Sequence, residues 1–241
     1  MITRIPAFEL TAGSHITLTD SGATRTVDWR MNLRKRVLLF SDMNTAADWT
    51  LYANGAGTTG VFTTTGLASA GYVGILDCGT GTTAAGWSGV SHAERSSVLL
   101  GTYETRYLTV AKIPTLGTAG EAINVVIGFH DRANSLTPTD GAYFNYHHGT
   151  NSGKWQAIIY TAGVTAGAED TGITADTGWH SFAITTTTTT TTFAIDGVTV
   201  NTQAGVTGGA TASDARITKT VGTTARNLYV DLMSLEMDCA R

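Results

Sequence analysis

The stretch Phe193-Ala194-Ile195-Asp196-Gly197-Val198-Thr199-Val200 alternates large apolar residues with small or polar ones on both sides of an Asp-Gly pair. Asp and Gly tolerate the positive φ values that a two-residue type I′ turn requires, so the pair predicts a tight β-hairpin. Period-two spacing then puts Phe193 and Ile195 on one face together. Upstream, residues 179–184 form another strand pattern, followed by eight consecutive threonines at 185–192. Such a run has functional readings, a glycosylated stalk or an ice-like hydroxyl array. It is too short for a stalk, and its place between two strand patterns makes it the tip and outer face of a long hairpin.

The same pattern extends over most of the chain. Short apolar or alternating runs at 37–41, 49–52, 61–65, 72–77, 105–113, 122–130, 142–146, 155–160, 179–187, 191–195, 198–202 and 227–237 are separated by Gly, Asn or Asp. Many short strands with turn signals between them predict a sandwich or barrel. Composition agrees: 45 of the 241 residues are threonine, whose β-branched side chain loses χ1 freedom in helices and fits a pleated surface. A chain of this length with 42% apolar residues can bury a proper core.

Charge and cysteine content narrow the function classes. A net charge of −4 gives no global attraction to nucleic acid or anionic membrane. No apolar window approaches the length of a membrane-spanning helix, and the first fifteen residues lack a basic segment followed by an apolar one, so no classical secretion signal is expected. Two cysteines, Cys78 and Cys239, exclude a disulfide framework and a cysteine-rich zinc module. Residues 1–36 differ from the rest. Ile16-Thr17-Leu18-Thr19 suits a strand, but 28–36 reads Asp-Trp-Arg-Met-Asn-Leu-Arg-Lys-Arg, which suits a helical turn or an extended arm. The boundary falls at Arg36, giving an arm or assembly segment (1–36) and a sandwich (37–241).

The side chains with chemistry to offer are scattered. A glycosidase needs two carboxylates roughly 5–10 Å apart. Glu236-Met237-Asp238 has the alternation to put two on one strand face, but nothing nearby completes a site. Glu169 and Asp170 are neighbours and point to opposite faces. His147-His148 reads as a loop pair rather than a metal site, and His130 and His180 read as isolated. No Gly-x-Ser-x-Gly elbow and no phosphate loop is present, so no catalytic, metal or cofactor residues are expected. The aromatics Trp87, Tyr143, Tyr146 and Trp155 suit either sugar stacking or core packing. Tyr143, Tyr146, His147 and Trp155 are the candidate glycan-binding residues. Trp29, Arg30, Arg34, Lys35 and Arg36 are the candidate partner-binding residues, because the chain's dense basic cluster lies there.

Gly178-Trp179-His180-Ser181-Phe182-Ala183-Ile184, followed after a turn by Phe193-Ala194-Ile195-Asp196-Gly197-Val198, resembles the Trp-His … Asp-Gly signature of concanavalin-like, laminin-G-like jelly-roll domains. Residues 140–146, 153–157 and 222–231 are similar to the version of this fold found in tailed-bacteriophage structural proteins. The resemblance covers roughly 40–237 and implies a two-sheet antiparallel sandwich. It also implies a setting. A non-enzymatic protein on the exterior of a virion, assembled in the host cytoplasm, is expected, first as a capsid decoration or auxiliary protein and second as a tail-appendage adhesin binding host-surface glycan; assembly in that reducing compartment implies that Cys78 and Cys239 are free thiols. A carbohydrate-active hydrolase is the third reading. The expected partners are other virion proteins of the capsid shell or tail, further copies of the chain, by analogy as a trimer, and a surface glycan. No membrane partner is expected, and nucleic acid is disfavoured for want of an aromatic-rich basic groove.

Overall fold

The computed structural model describes residues 16–20, 23–27, 36–41, 50–55, 57–62, 74–92, 98–131, 138–205 and 209–238. In chain order the strands are β1 (Ile16–Asp20), β2 (Ala23–Val27), β3 (Arg36–Ser41), β4 (Thr50–Asn54), β5 (Thr58–Phe62), β6 (Leu76–Gly79), β7 (Trp87–His92), β8 (Val98–Leu99) and β9 (Thr105–Lys112). They continue as β10 (Ile123–His130), β11 (Gly141–His147), β12 (Lys154–Thr161), β13 (Val164–Thr174), β14 (Trp179–Thr186), β15 (Thr190–Ile195), β16 (Val198–Ala204), β17 (Ala210–Lys219) and β18 (Asn227–Asp238). Among the described residues there is no α-helix, and no helix long and apolar enough to cross a membrane.

Two antiparallel sheets form the jelly-roll sandwich. Sheet one runs β13-β12-β11-β10-β17-β7-β4, with β8 also on β17; sheet two runs β16-β15-β14-β9-β18-β6-β5, with β3 also on β18. β1 and β2 make a separate hairpin. The strand expected at 16–19 is thus β1, while residues 28–35 of the proposed arm, with Trp29, Arg30, Arg34 and Lys35, lie outside the described residues. Arg36 opens β3, where it pairs with Asp238 of the last strand.

Alternation sends every second side chain into the space between the sheets. From β10 these are Ile123, Val125, Ile127 and Phe129, and from β17 Ala215 and Ile217, all buried. Phe144 packs edge-on against Phe182 and Phe193, each 5.3 Å away between ring centres, and Trp155 meets Phe182 at 4.7 Å. These aromatic contacts join the two sheets. The expected hairpin is present: β15 and β16 are joined by Asp196 and Gly197, at φ 51° and 77°. The threonine run forms the end of β14, the tip and the start of β15. Its alternation buries Thr186 and Thr191, which face each other in register, and the Thr187 hydroxyl accepts from the amides of Thr189 and Thr190 at the tip.

Candidate functional site

The alternation that builds the core also furnishes the opposite face of sheet one. Asn124, Val126, Gly128 and His130 of β10 point away from sheet two, and the strand register carries this face across the sheet. One transverse row is Tyr52, Gly89, Arg216, Val126, Asn145, Gln156 and Asp170. The next is Ser91, Asp214, Gly128, Tyr143 and Ile158. A third joins Trp87, Thr218, Asn124 and His147.

The centre of this face is a buried polar cluster. Asp214 is fully buried, and His130 and Arg216 are nearly so. The Tyr52 phenol donates to Asp214 Oδ2 in a short hydrogen bond. His130 Nε2 approaches Asp214 Oδ1 to 3.1 Å off the hydrogen-bonding line, and His130 Nδ1 has no partner among the described residues. From the core side, the Tyr107 hydroxyl donates to the Asp214 carbonyl at 3.0 Å. Burial, reinforced by the Asp214 charge, pushes the Tyr52 phenol well above its ordinary pKa and keeps it a donor. Gly89 makes the arrangement possible. It lies between Tyr52 and Arg216 in register, and a Cβ there would come within 2.7 Å of both the Tyr52 hydroxyl and the Ala215 carbonyl oxygen.

Around this centre lies a band of half-exposed polar and aromatic side chains. Trp87, Asn124, Asn145, His147, Gln156 and Tyr160 are all partly accessible. The side-chain amides of Asn145 and Gln156 make no hydrogen bond among the described residues, and Asn124 Oδ1 is buried without a partner. Tyr143 and Tyr160 stack with their rings nearly parallel, 6.3 Å apart. At the sheet edge Asp170 is held by the amide of Gly172, by Lys154 and by Asn151, which together keep its carboxyl down at about 2.

Of the four glycan candidates, the structure leaves His147 half-exposed on this face, keeps Tyr143 on the face but buried at 4% exposure, and moves two off it. Tyr146 and Trp155 point into the core, because they fall on the inward phase of β11 and β12, and are packed against each other and Phe182. That is a correction to the sequence-based expectation. Among the described residues, Trp87 is the tryptophan that reaches the outer face. The isolated reading of His130 and His180 is also corrected: His130 adjoins Asp214, and His180 lies 2.7 Å from Asp196 and 2.9 Å from Asp176. His147 closes β11 and contacts the Thr150 hydroxyl at 3.0 Å. Glu236 and Asp238 lie on β18, in sheet two, opposite Leu38 and Arg36 of β3. No three His, Cys, Asp or Glu side chains among the described residues gather into a metal site. Cys78 is a buried free thiol whose pKa burial raises, and Cys239 lies outside the described residues.

No protein-family model and no curated protein sequence matches the chain. Solved structures do. A protein of unknown function, SO2946 from Shewanella oneidensis MR-1, superposes with a TM-score of 0.61 at 14% identity, over 86% of this chain and 89% of that one. The carbohydrate recognition domain of Emp47p gives 0.57 at 10% identity, over 87% of this chain and 99% of that one. A glycosyl hydrolase family protein from Mycobacterium fortuitum gives 0.53 at 12% identity, over 82% and 98%. At these identities the likeness is one of fold. The chain is an all-β jelly-roll sandwich of the concanavalin-like kind, the architecture that these carbohydrate recognition and glycosyl hydrolase domains share.

Proposed function

We propose that this chain binds a glycan on the outer face of sheet one without cleaving it, and that it does so on the exterior of a virion, as a tail-appendage adhesin. The observation that carries the glycan reading is the pairing of unpartnered amides with accessible rings. Asn145 and Gln156 face each other across β11 and β12 with their side-chain hydrogen-bonding capacity unused among the described residues, and the same face carries Tyr160 further along β12 and Trp87 on β7, three strands from β11. Sugar hydroxyls ask for amide donors and acceptors, and sugar ring faces ask for aromatic carbon. Three strand spacings separate Trp87 from His147, roughly 14 Å, enough for a short oligosaccharide laid across the strands. The carbohydrate recognition domain with the same fold supports this reading by analogy.

Two considerations support binding over turnover. Asp214 is wholly buried and takes the Tyr52 hydrogen bond, and Asp170 is committed to Lys154, Asn151 and Gly172. The virion setting rests on the resemblance of 140–146, 153–157 and 222–231 to tailed-phage structural proteins. Within that setting, unpartnered amides on a partly accessible face suit a glycan-binding role better than a decorative one, so the adhesin role ranks first. Weak sites of this kind gain from repetition, which suits a homo-oligomer, the trimer being the form that analogy with other virion exterior proteins supports.

The test is binding of the full chain to an array of bacterial surface glycans. Trp87→Ala, and Asn145→Ala with Gln156→Ala, are expected to weaken binding about tenfold each; the amide pair should leave the melting temperature nearly unchanged, whereas Trp87→Ala also removes the ring packed 5.4 Å from that of Tyr52 and should lower it. Binding that survives all three substitutions places the glycan elsewhere. Locating the chain on intact particles separates tail from capsid.

A further inference from the structure

We propose that Asn54 is a site of spontaneous deamidation, at which the backbone nitrogen of Gly55 attacks the side-chain amide and converts the residue to a mixture of aspartate and isoaspartate. Asn54 ends β4 and is exposed, and Gly55 follows at φ 69° with no side chain to shield its nitrogen. The Gly55 amide donates to Asn54 Oδ1 at 2.6 Å, which holds the carboxamide against the nitrogen that must attack it. Proximity of this kind is what turns a slow encounter into a practical reaction.

The Gly55 nitrogen gives up its proton and bonds to Asn54 Cγ. The bond from Cγ to Nδ2 breaks, ammonia leaves carrying that proton, and a cyclic imide remains. Water then opens the imide at one of its two carbonyls. Opening at Cγ gives aspartate on a normal main chain, and opening at the backbone carbonyl gives isoaspartate, with one extra carbon in the main chain. No oxidant or reductant takes part. Asn151 supplies an internal contrast: its Nδ2 donates to Asp170 Oδ1 at 3.1 Å, and the following Ser152 carries a side chain.

The reaction site has little slack. Here the chain passes from β4 in sheet one to β5 in sheet two, the Gly57 amide donates to the Asn54 carbonyl at 3.2 Å, and a Cβ on Gly57 would lie 2.1 Å from the Trp87 carbonyl oxygen. A new negative charge and a longer main chain at this corner are expected to loosen the Asn54–Trp87 pairing and lower the melting temperature. The chemistry is independent of whether the outer face of sheet one binds a glycan.

The experiment is incubation of the folded chain in mildly alkaline buffer, followed by peptide mapping and labelling with an isoaspartate-specific methyltransferase. The expected result is loss of the Asn54 peptide, gain of label in its place, acceleration as pH rises, and an intact Asn151 peptide. Asn54→Gln, whose longer side chain disfavours ring closure, should abolish the label while the melting temperature stays at the wild-type value. Survival of the Asn54 peptide in the folded chain overturns the proposal, whether or not the denatured chain converts. Equal conversion at Asn151 also overturns it, since the geometry would then contribute nothing.

Discussion

His180 and Asp196 close the mouth of the β14–β15 hairpin, with Nδ1 lying 2.7 Å from Oδ2, while the other ring nitrogen lies 2.9 Å from Asp176 Oδ1. With a carboxylate at each nitrogen, the ring is held best as the imidazolium, a donor on both sides. Burial by itself would lower the His180 pKa, but the bonds to Asp196 and Asp176 outweigh it and the net shift is upward from 6.5. The bond from His180 and the Gly178 amide hold the Asp176 carboxyl below its usual value. Lys112, which lines the same small cavity as His180 and Asp176, is the other charged group there.

The sign of the pH dependence follows from these shifts. A raised folded-state pKa contributes stability that is complete below the ordinary histidine value and is lost as pH climbs through the folded one. The depressed Asp176 contributes stability above the ordinary carboxylate value that is lost as pH falls through its folded one. Maximal clamp stability is therefore expected in weakly acidic to neutral solution, with a decline on the alkaline side. Melting temperatures of wild type and His180→Gln across a pH series check this, and the decline should be absent from the variant.

Gly197→Val is expected to destabilise the sandwich by about 1–2 kcal/mol, because a β-branched residue resists the left-handed backbone found at Gly197. Gly197→Asn should cost much less. Chemical denaturation of the two variants separates a turn effect from general disturbance, and equal costs would argue against it.

The hairpin is legible because its signal is local: an Asp-Gly pair between alternating residues needs no knowledge of the rest of the chain. The polar centre is not. Asp214 and Arg216 sit in β17, whose sequence Ala-Thr-Ala-Ser-Asp-Ala-Arg-Ile-Thr-Lys has few large apolar residues and does not read as a central strand, yet all but the first of its residues are buried. β7 and β13 escape a sequence reading for the same reason. Trp-Ser-Gly-Val-Ser-His of β7 and the small, acidic sequence of β13 give no alternating apolar face, and their strand character comes from neighbours on the sheet. Without β17 and β7 nothing brings His130 to Asp214 or Tyr52 to Gly89. The aromatics are legible as a set, but the phase that sends Trp155 inward and Trp87 outward is fixed only by register.

Tyr52→Phe should remove the donor to Asp214 Oδ2 and leave a buried carboxylate short of a partner, at a cost of about 2 kcal/mol. Gly89→Ala should destabilise by a different route, since its Cβ would press on the Ala215 carbonyl oxygen as well as on the Tyr52 hydroxyl. Combining the two is expected to cost less than the sum, because the ring in the double variant no longer presents a hydroxyl to the new methyl group. Denaturation midpoints of the three variants test the coupling, and strict additivity would place the Tyr52 side chain away from Gly89.

Turnover of a bound glycan is not expected, and the placement of the carboxylates says why. Hydrolysis calls for a pair roughly 5–10 Å apart across the scissile bond. On the outer face of sheet one, among the described residues, Asp214 on β17 and Asp170 on β13 are four strands apart, roughly 20 Å, while Asp131 and Asp140 at the β10–β11 end accept from the amides of Thr139, Asp140 and Ala162, and Asp176 and Asp196 are held by His180 on sheet two. Glu236 and Asp238 belong to the other sheet. Incubating the chain with any glycan it retains should therefore leave the number of reducing ends unchanged. Asp214→Asn should affect stability through Tyr52 rather than any rate. A rise in reducing ends that disappears with Asp214→Asn in a chain that still folds and still binds would make Asp214 a catalytic residue and the protein a hydrolase.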